Sequence, residues 1–284
     1  MRARAPASAA NLGPGFDTLA LALDLHVDVE VVPARRLSVR AEGEGSDLPA
    51  DASHLAARVA MEVAGHDRLA VTVRSSIPVA RGLGSSAALA AATAAACGAK
   101  DPLAVAAAVD GHPENAAASV LGGLVTATVV GRGPVCSPLP LDPELAFVVL
   151  VPARPLPTVR ARQALPASVP HKDAAFNLGR MGLLVAGLAD HHRLVREATE
   201  DRLHQSARAP LFAEASYLLR ALVEAGALAA SWSGAGPSLI AFCTRASAPE
   251  VRAGGERLLA SAGVPGESLL LHADRDGLVV NGSE

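Results

Sequence analysis

The stretch from Gly82 to Ala96 constrains the chain more than any other. Gly82-Leu83-Gly84 is followed by Ser85-Ser86 and then by a run to Ala96 that is almost all alanine. Alanine is the strongest helix former, so the run predicts a helix over Ser85–Ala96. Its side chains are small, so neighbouring elements can pack tightly against it. The two glycines allow a tight turn just before it. The first N–H groups of such a helix lack intrahelical partners and attract anions. Serine hydroxyls placed there can donate to phosphate oxygens or ligate a hard cation. A serine-capped helix after a glycine turn is the bland alternative. Pro78, four residues before Gly82, and Ala87-Ala88 after the serines favour ligand binding instead. No lysine follows the glycines, so this is not a Walker A loop, and Gly-x-Gly-x-x-Gly is absent here.

The 284 residues suffice for one large domain or two ordinary ones. Half are hydrophobic but only 2% are aromatic, so the core has to be assembled from Ala, Val and Leu. A net charge of -3 gives no bias toward nucleic acid. Cys97, Cys136 and Cys243 lie far apart with no CxxC pair, which argues against a disulfide framework or structural zinc. The opening residues lack the apolar stretch of a secretory signal, and apolar runs such as Ala87–Cys97 are too short to span a bilayer. A soluble, cytoplasmic protein is the expectation.

Alternation of period two marks Val27–Val32, Leu37–Glu42 and Leu69–Arg74 as strands, and apolar runs mark Leu124–Val130 and Leu145–Val151. Helices are predicted over Leu55–Ala64, Leu103–Val109, Ala174–Ala189, Arg193–Glu197, Ala213–Ala225 and Pro249–Ser261. Further strands are predicted at Ala229–Ser231, Leu239–Cys243, Leu269–Leu271 and Gly277–Val280. This mixing without regular βαβ alternation predicts an α+β fold. The proline-rich turn Pro152–Pro157 sets the expected division into domains 1–151 and 152–284.

Pro78–Ala88 resembles the phosphate-binding motif of the GHMP kinases, named for galactokinase, homoserine kinase, mevalonate kinase and phosphomevalonate kinase. Pro6–Asp17, ending Asn11-Leu12-Gly13-Pro14-Gly15-Phe16-Asp17, resembles the family's N-terminal substrate motif. Ser233-Gly234-Ala235-Gly236-Pro237-Ser238 resembles its C-terminal glycine motif. Gly111–Asn115 with Leu121-Gly122-Gly123, Pro157–Arg162 with Leu165-Pro166, and Glu200–Gln205 resemble the homoserine-phosphorylating branch. These segments occur in the family's order, from the N-terminus to about Ser238. The resemblance implies a two-domain GHMP kinase fold. Its N-terminal part would be like the second domain of ribosomal protein S5, its C-terminal part ferredoxin-like, with the ligands between them. It also implies ATP-dependent phosphorylation of L-homoserine with Mg2+, in threonine biosynthesis, by a homodimer. No nucleic-acid or membrane partner is expected.

Homoserine carries a carboxylate, an ammonium and a primary hydroxyl, and the resemblance distributes residues among them. Asn11, Arg162 and His112 form the expected catalytic set: Asn11 for the hydroxyl, Arg162 for the carboxylate, His112 for the carboxylate or amine. Asp17 pairs with the ammonium; its bland alternative is the N-cap of a helix over Thr18–Leu23. Thr158, Arg208, Asn115 and Gly234 complete the substrate set. Arg208 follows Ser206-Ala207, where the family usually has proline and an aromatic residue. ATP falls to Pro78, Arg81, Gly82, Leu83, Gly84, Ser85, Ser86 and Ala87. Ser86 and Asp110 are expected to hold Mg2+. Asp110 stands where the family generally has Glu, and Glu114, the other carboxylate open to the metal, where it commonly has Asp. No side chain is identified as general base. Mevalonate- or shikimate-type kinases and a decarboxylating relative are the alternatives; mevalonate lacks an ammonium and would not need Asp17.

Overall fold

A computed structural model describes residues 1–131 and 133–281. The chain runs β1 (Arg2–Asn11), β2 (Gly15–Pro33), β3 (Ser38–Gly43), α1 (Leu55–Ala64), β4 (Leu69–Ser75), α2 (Ser85–Ala96), α3 (Pro102–Asp110), α4 (Glu114–Leu121), β5 (Leu124–Val130), β6 (Gly133–Leu139) and β7 (Leu145–Pro152). It continues as α5 (Thr158–Gln163), α6 (His171–Ala189), α7 (Gln205–Arg208), α8 (Ala215–Glu224), β8 (Ala229–Trp232), β9 (Leu239–Thr244), α9 (Ala248–Ser261), β10 (Gly266–Leu271) and β11 (Val279–Asn281).

The first sheet has seven strands, ordered β11-β1-β2-β4-β3, with β5 and β6 branching from β2. At 19 residues β2 is long enough to serve two neighbours, β4 along residues 27–33 and β5 along residues 19–21. The turn of the β1–β2 hairpin is the Asn11–Gly15 motif. Alternate residues of β1, Ala3, Ala5, Ala7 and Ala9, enter the core with Ala88, Ala92, Ala95 and Ala96 of α2. Small side chains on both partners let the helix lie close to the sheet. Nine of the twelve residues of α2 are buried, so helices α1, α3 and α4 surround it rather than solvent.

The second sheet is antiparallel, ordered β10-β7-β9-β8. Counted within this unit the order is fourth, first, third, second, joined as βαββαβ: the ferredoxin-like arrangement expected above. Strand β7 is buried on both faces, and its alternation divides two cores. Leu145, Phe147, Val149 and Val151 join the core beneath the first sheet, while Ala146, Val148 and Leu150 join residues of α8 and α9.

Three expectations are corrected. Strand β7, placed in the first unit by the division after Val151, is central to the second sheet, and β11 carries the chain back to the first. The boundary 1–151 and 152–284 therefore does not follow the sheets: a wholly apolar strand does not announce which sheet it joins. Residues 18–23, the alternative helix behind Asp17, belong to β2. The helix expected at Arg193–Glu197 is two short 3-10 turns, His191–Arg193 and Arg196–Thr199. There the chain folds back on α6, with Leu194 against Gly187 at a spacing that excludes even a Cβ. Among the described residues, no helix is long and apolar enough to cross a membrane.

Candidate active site

All of residues 78–86 line a cavity of about 560 Å³. Part of its wall is apolar, from Ala41, Leu48, Leu55, Val73 and Leu89; part is polar, from Asp110, His112, Asn115, Thr158 and Arg162. Helices α1 and α3 are capped by the side chains of His54 and Asp101, but no side chain caps α2. Its first N–H groups are thus left for a ligand, beside Ser85 and Ser86 in the cavity wall. Gly84 adopts φ 64° and Gly82 φ 75°. A Cβ on Gly84 would strike Ser8 Oγ, and one on Gly82 would strike the Ser233 carbonyl. Close approach therefore demands glycine as firmly as the backbone angle does.

Three distant motifs interlock here. Ser8 N–H donates to the Leu83 carbonyl (3.1 Å) and Gly234 N–H to the Ala10 carbonyl (2.9 Å). Ser233 Oγ donates to the Gly82 carbonyl at 2.7 Å. Among the described residues, the non-glycine positions with positive φ are Asn11, Leu12, Asp17 and Ala80. All four fall in the Pro6–Asp17 motif or the glycine-serine loop Pro78–Ala88. Strain of this kind persists only where the surroundings enforce it, and it collects at functional sites.

The polar wall is built around one ion pair. Arg162 grips Asp17 with both ends of its guanidinium, Nη2 to Oδ1 at 2.7 Å and Nη1 to Oδ2 at 3.1 Å. Arg162 Nε donates to His112 Nε2 at 3.1 Å. Burial, and then the charge of Arg162, hold the His112 imidazole below its usual value. Ser86 Oγ donates to Asp110 Oδ1 at 2.6 Å, and burial pushes the Asp110 carboxyl up. Glu114 is 2% exposed, and burial pushes its carboxyl to about 7.

Two family models match the chain, GHMP kinases N terminal domain over residues 52–123 and GHMP kinases C terminal over residues 174–258. Homoserine kinase of Leifsonia xyli subsp. xyli is 41% identical, covering 98% of this chain and 90% of the relative. Homoserine kinase of Thermus thermophilus is 42% identical over 94% of each. The chain belongs to the homoserine kinase family of GHMP kinases. The crystal structure of homoserine kinase from Cytophaga hutchinsonii is similar with a TM-score of 0.85 at 24% identity, over 98% of this chain and 96% of that one. L. major mevalonate kinase, in complex with R-mevalonate, reaches 0.66 at 14% identity, over 98% and 95%. These likenesses show the two-domain GHMP kinase fold.

Within this homoserine kinase family member, most expected residues converge. Pro78, Gly82, Leu83, Gly84, Ser85, Ser86, Asp110, His112, Asn115, Thr158, Arg162 and Gly234 line one cavity. Arg81 lines it too, but donates to main-chain carbonyls of Val79 (2.7 Å), Pro152 (2.8 Å) and Ala153, so it also staples the loop to the β7 exit. Two expected ATP or hydroxyl contacts do not line it. Ala87 is fully buried against Val59, Ala90 and Ala116. Asn11, 4% exposed, commits its amide to the Gly234 carbonyl (2.9 Å) and the Asp17 N–H (3.0 Å). Arg208 is 1% exposed and donates to the Ala161 and Gly234 carbonyls (3.3 and 3.1 Å) and to His204 Nδ1 (3.1 Å). Burial and the nearby Arg162 lower it to about 10, so it keeps its charge at neutral pH.

Sequence reasoning missed the apolar wall, whose residues come from five separate segments without a motif. It also missed Phe16, which stacks on His204 and lies beneath both Arg162 and Arg208. The segment Glu200–Gln205 proves to be a frame. Asp201 accepts from Asn177 and from the N–H groups of Leu203, His204 and Gln205, and His204 Nε2 donates to the Gly13 carbonyl at 2.8 Å.

Proposed function

We propose that the chain transfers the γ-phosphoryl group of ATP to the side-chain hydroxyl of L-homoserine, a step of threonine biosynthesis. The bidentate Asp17–Arg162 pair beside the uncapped start of α2 carries this reading. Without substrate the two charges satisfy each other. A zwitterionic amino acid offers an ammonium to Asp17 and a carboxylate to Arg162, exchanging one ion pair for two. An alcohol with only one of those charges breaks the pair and leaves a partly desolvated charge without a partner, which is costly.

The remaining roles follow from placement. The apolar wall suits an adenine ring, and the N–H groups opening α2 suit the phosphates. Ser86 Oγ and the Asp110 carboxylate already lie within hydrogen-bond distance and offer the hard oxygens that Mg2+ prefers. A cation also relieves the burial that raises Asp110, so the residues present fit the ion. Bound there, Mg2+ would neutralise charge on the β- and γ-phosphates. Asn11 acts by fixing the start of β2 that carries Asp17, and to Asn115, in the cavity wall, we assign the hydroxyl. Phosphoryl transfer is mostly positioning, and the hydroxyl proton leaves late, to phosphate or solvent. The proposal extends, on family resemblance alone, to a cytoplasmic homodimer, which sedimentation velocity would read.

The test is ADP release with Mg-ATP against L-homoserine, mevalonate, shikimate and L-serine. Stimulation by homoserine alone, with O-phosphohomoserine as product, is expected. Turnover of mevalonate or shikimate in its place would overturn the substrate assignment while leaving the phosphate loop intact.

A further inference from the structure

Glu114 opens α4 with a side chain only 2% exposed, yet it does not line the cavity. Its Oε2 has no hydrogen-bond partner, and its Oε1 lies 3.4 Å from His112 Nδ1, a buried nitrogen that likewise makes no hydrogen bond, so the two groups face each other as a charge contact. A carboxylate buried with an idle oxygen is costly, and an apolar side chain would fill the same volume more cheaply. Packing alone therefore gives no reason for a glutamate here.

The reason lies across the imidazole. His112 Nε2 receives a hydrogen bond from Arg162 Nε at 3.1 Å. Arginine only donates, so Nε2 has to present its lone pair. The single hydrogen of the neutral ring then sits on Nδ1, the nitrogen that faces Glu114. With the tautomer reversed, two N–H groups would confront each other and the guanidinium would swing away. Glu114, His112, Arg162 and Asp17 thus form one chain of contacts from a buried carboxylate to the cavity wall.

We propose that Glu114 is a positioning residue that holds His112 in the Nδ1–H tautomer, so that Arg162 keeps its Nη edge turned toward the carboxylate it grips. That carboxylate is Asp17 in this structure. That it becomes the substrate's own carboxylate rests on the homoserine reading above; the tautomer does not. Glu114 acts only through His112 and touches no reacting atom.

The experiment pairs 15N shifts of the His112 ring, at mildly alkaline pH, with steady-state kinetics of Glu114→Leu and Glu114→Asp. The wild type is expected to show a protonated Nδ1 and a bare Nε2. Glu114→Leu should show a mixed or reversed tautomer. Its KM for homoserine should rise roughly tenfold or more, while its KM for ATP stays within about twofold. Glu114→Asp should restore most of both. A wild-type ring protonated on Nε2 overturns the proposal even if the leucine variant fails to fold. So does an unchanged tautomer in a folded Glu114→Leu, or an equal rise in both KM values. If the wild type ignores homoserine, the substrate reading fails, and the ring shifts still decide the role of Glu114.

Discussion

Two carboxylates show what single residues contribute, one by being buried and one by being paired. Glu114 has its carboxyl raised from 4.5 to about 7 by burial. A raised carboxyl binds its proton more tightly in the folded state. Its ionisation therefore costs stability that is absent below about pH 4.5 and fully present above about pH 7. Glu114→Gln is expected to be near neutral at pH 4.5 and to stabilise the metal-free protein by about 1–3 kcal/mol at pH 8. Denaturant titrations at both pH values read this, and an equal effect at both would show that Glu114 stays protonated throughout. Asp17 tests the exchange of ion pairs. Asp17→Asn should lower kcat/KM for homoserine by about 30- to 1000-fold, the usual cost of breaking a partly buried charge pair. It also frees Arg162, so 4-hydroxybutanoate, which has the carboxylate but no ammonium, should inhibit the variant more tightly than the wild type. No tightening would mean that the pair does not select for a zwitterion. Both residues were legible as members of motifs. Their partners were not: Arg162 lies 145 residues from Asp17, and nothing in either segment states that they pair before a substrate arrives.

Elements depend on how plainly their cause is written in the chain. Helix α2 was readable to its ends because alanine favours helix at every position and Gly84 stops it on one side. Its neighbours press on those alanines, so Ala91→Leu, at a fully buried position, should destabilise by about 1–3 kcal/mol through overpacking. Urea unfolding would read the change, and a neutral result would mean that the helix bundle is looser than the structure shows. Strand β1 went unread: its core positions are Ala3, Ala5, Ala7 and Ala9, and alanine alternating with arginine, proline and serine gives weak strand contrast. Helix α4 has eight residues, too few for periodicity to speak, and its opening glutamate is buried rather than solvated. The site suffered in the same way. Its glycine-serine loop is contiguous and could be read as a unit, whereas its apolar wall gathers single residues from separate elements. Arg81 shows what a motif leaves out: beside the loop, its Nε, Nη1 and Nη2 each donate to a carbonyl of the same loop or of the β7 exit, a structural tie that the sequence does not state.

The whole molecule has two sheets but no clean seam between them. The chain crosses from the first sheet to the second after β6 and returns at β11, so the first sheet is not built from one unbroken segment. One core contains Leu21 and Val29 of β2 together with Phe147, Val149 and Phe242 of the second sheet. The three motifs that form the cavity are also hydrogen-bonded to one another across the same boundary. Separating the units would strip water-excluded surface from both and break the phosphate loop's anchor at Pro152. A single cooperative transition is therefore expected, although multidomain chains often unfold in stages. The chain supplies its own local reporter. Trp232, the only tryptophan, is 2% exposed in β8 and packs edge-on to Phe212 of the second sheet's outer core. Its fluorescence reports on that sheet, while far-UV circular dichroism averages over all helices, including α1 to α4 of the first unit. The two denaturation curves should coincide, and saturating Mg-ATP should move both midpoints by the same amount, since a ligand held between the units stabilises the folded whole. A tryptophan transition that precedes the loss of helix, or one that nucleotide leaves in place, would show that the second sheet unfolds by itself and that the shared core contributes little to holding the cavity together.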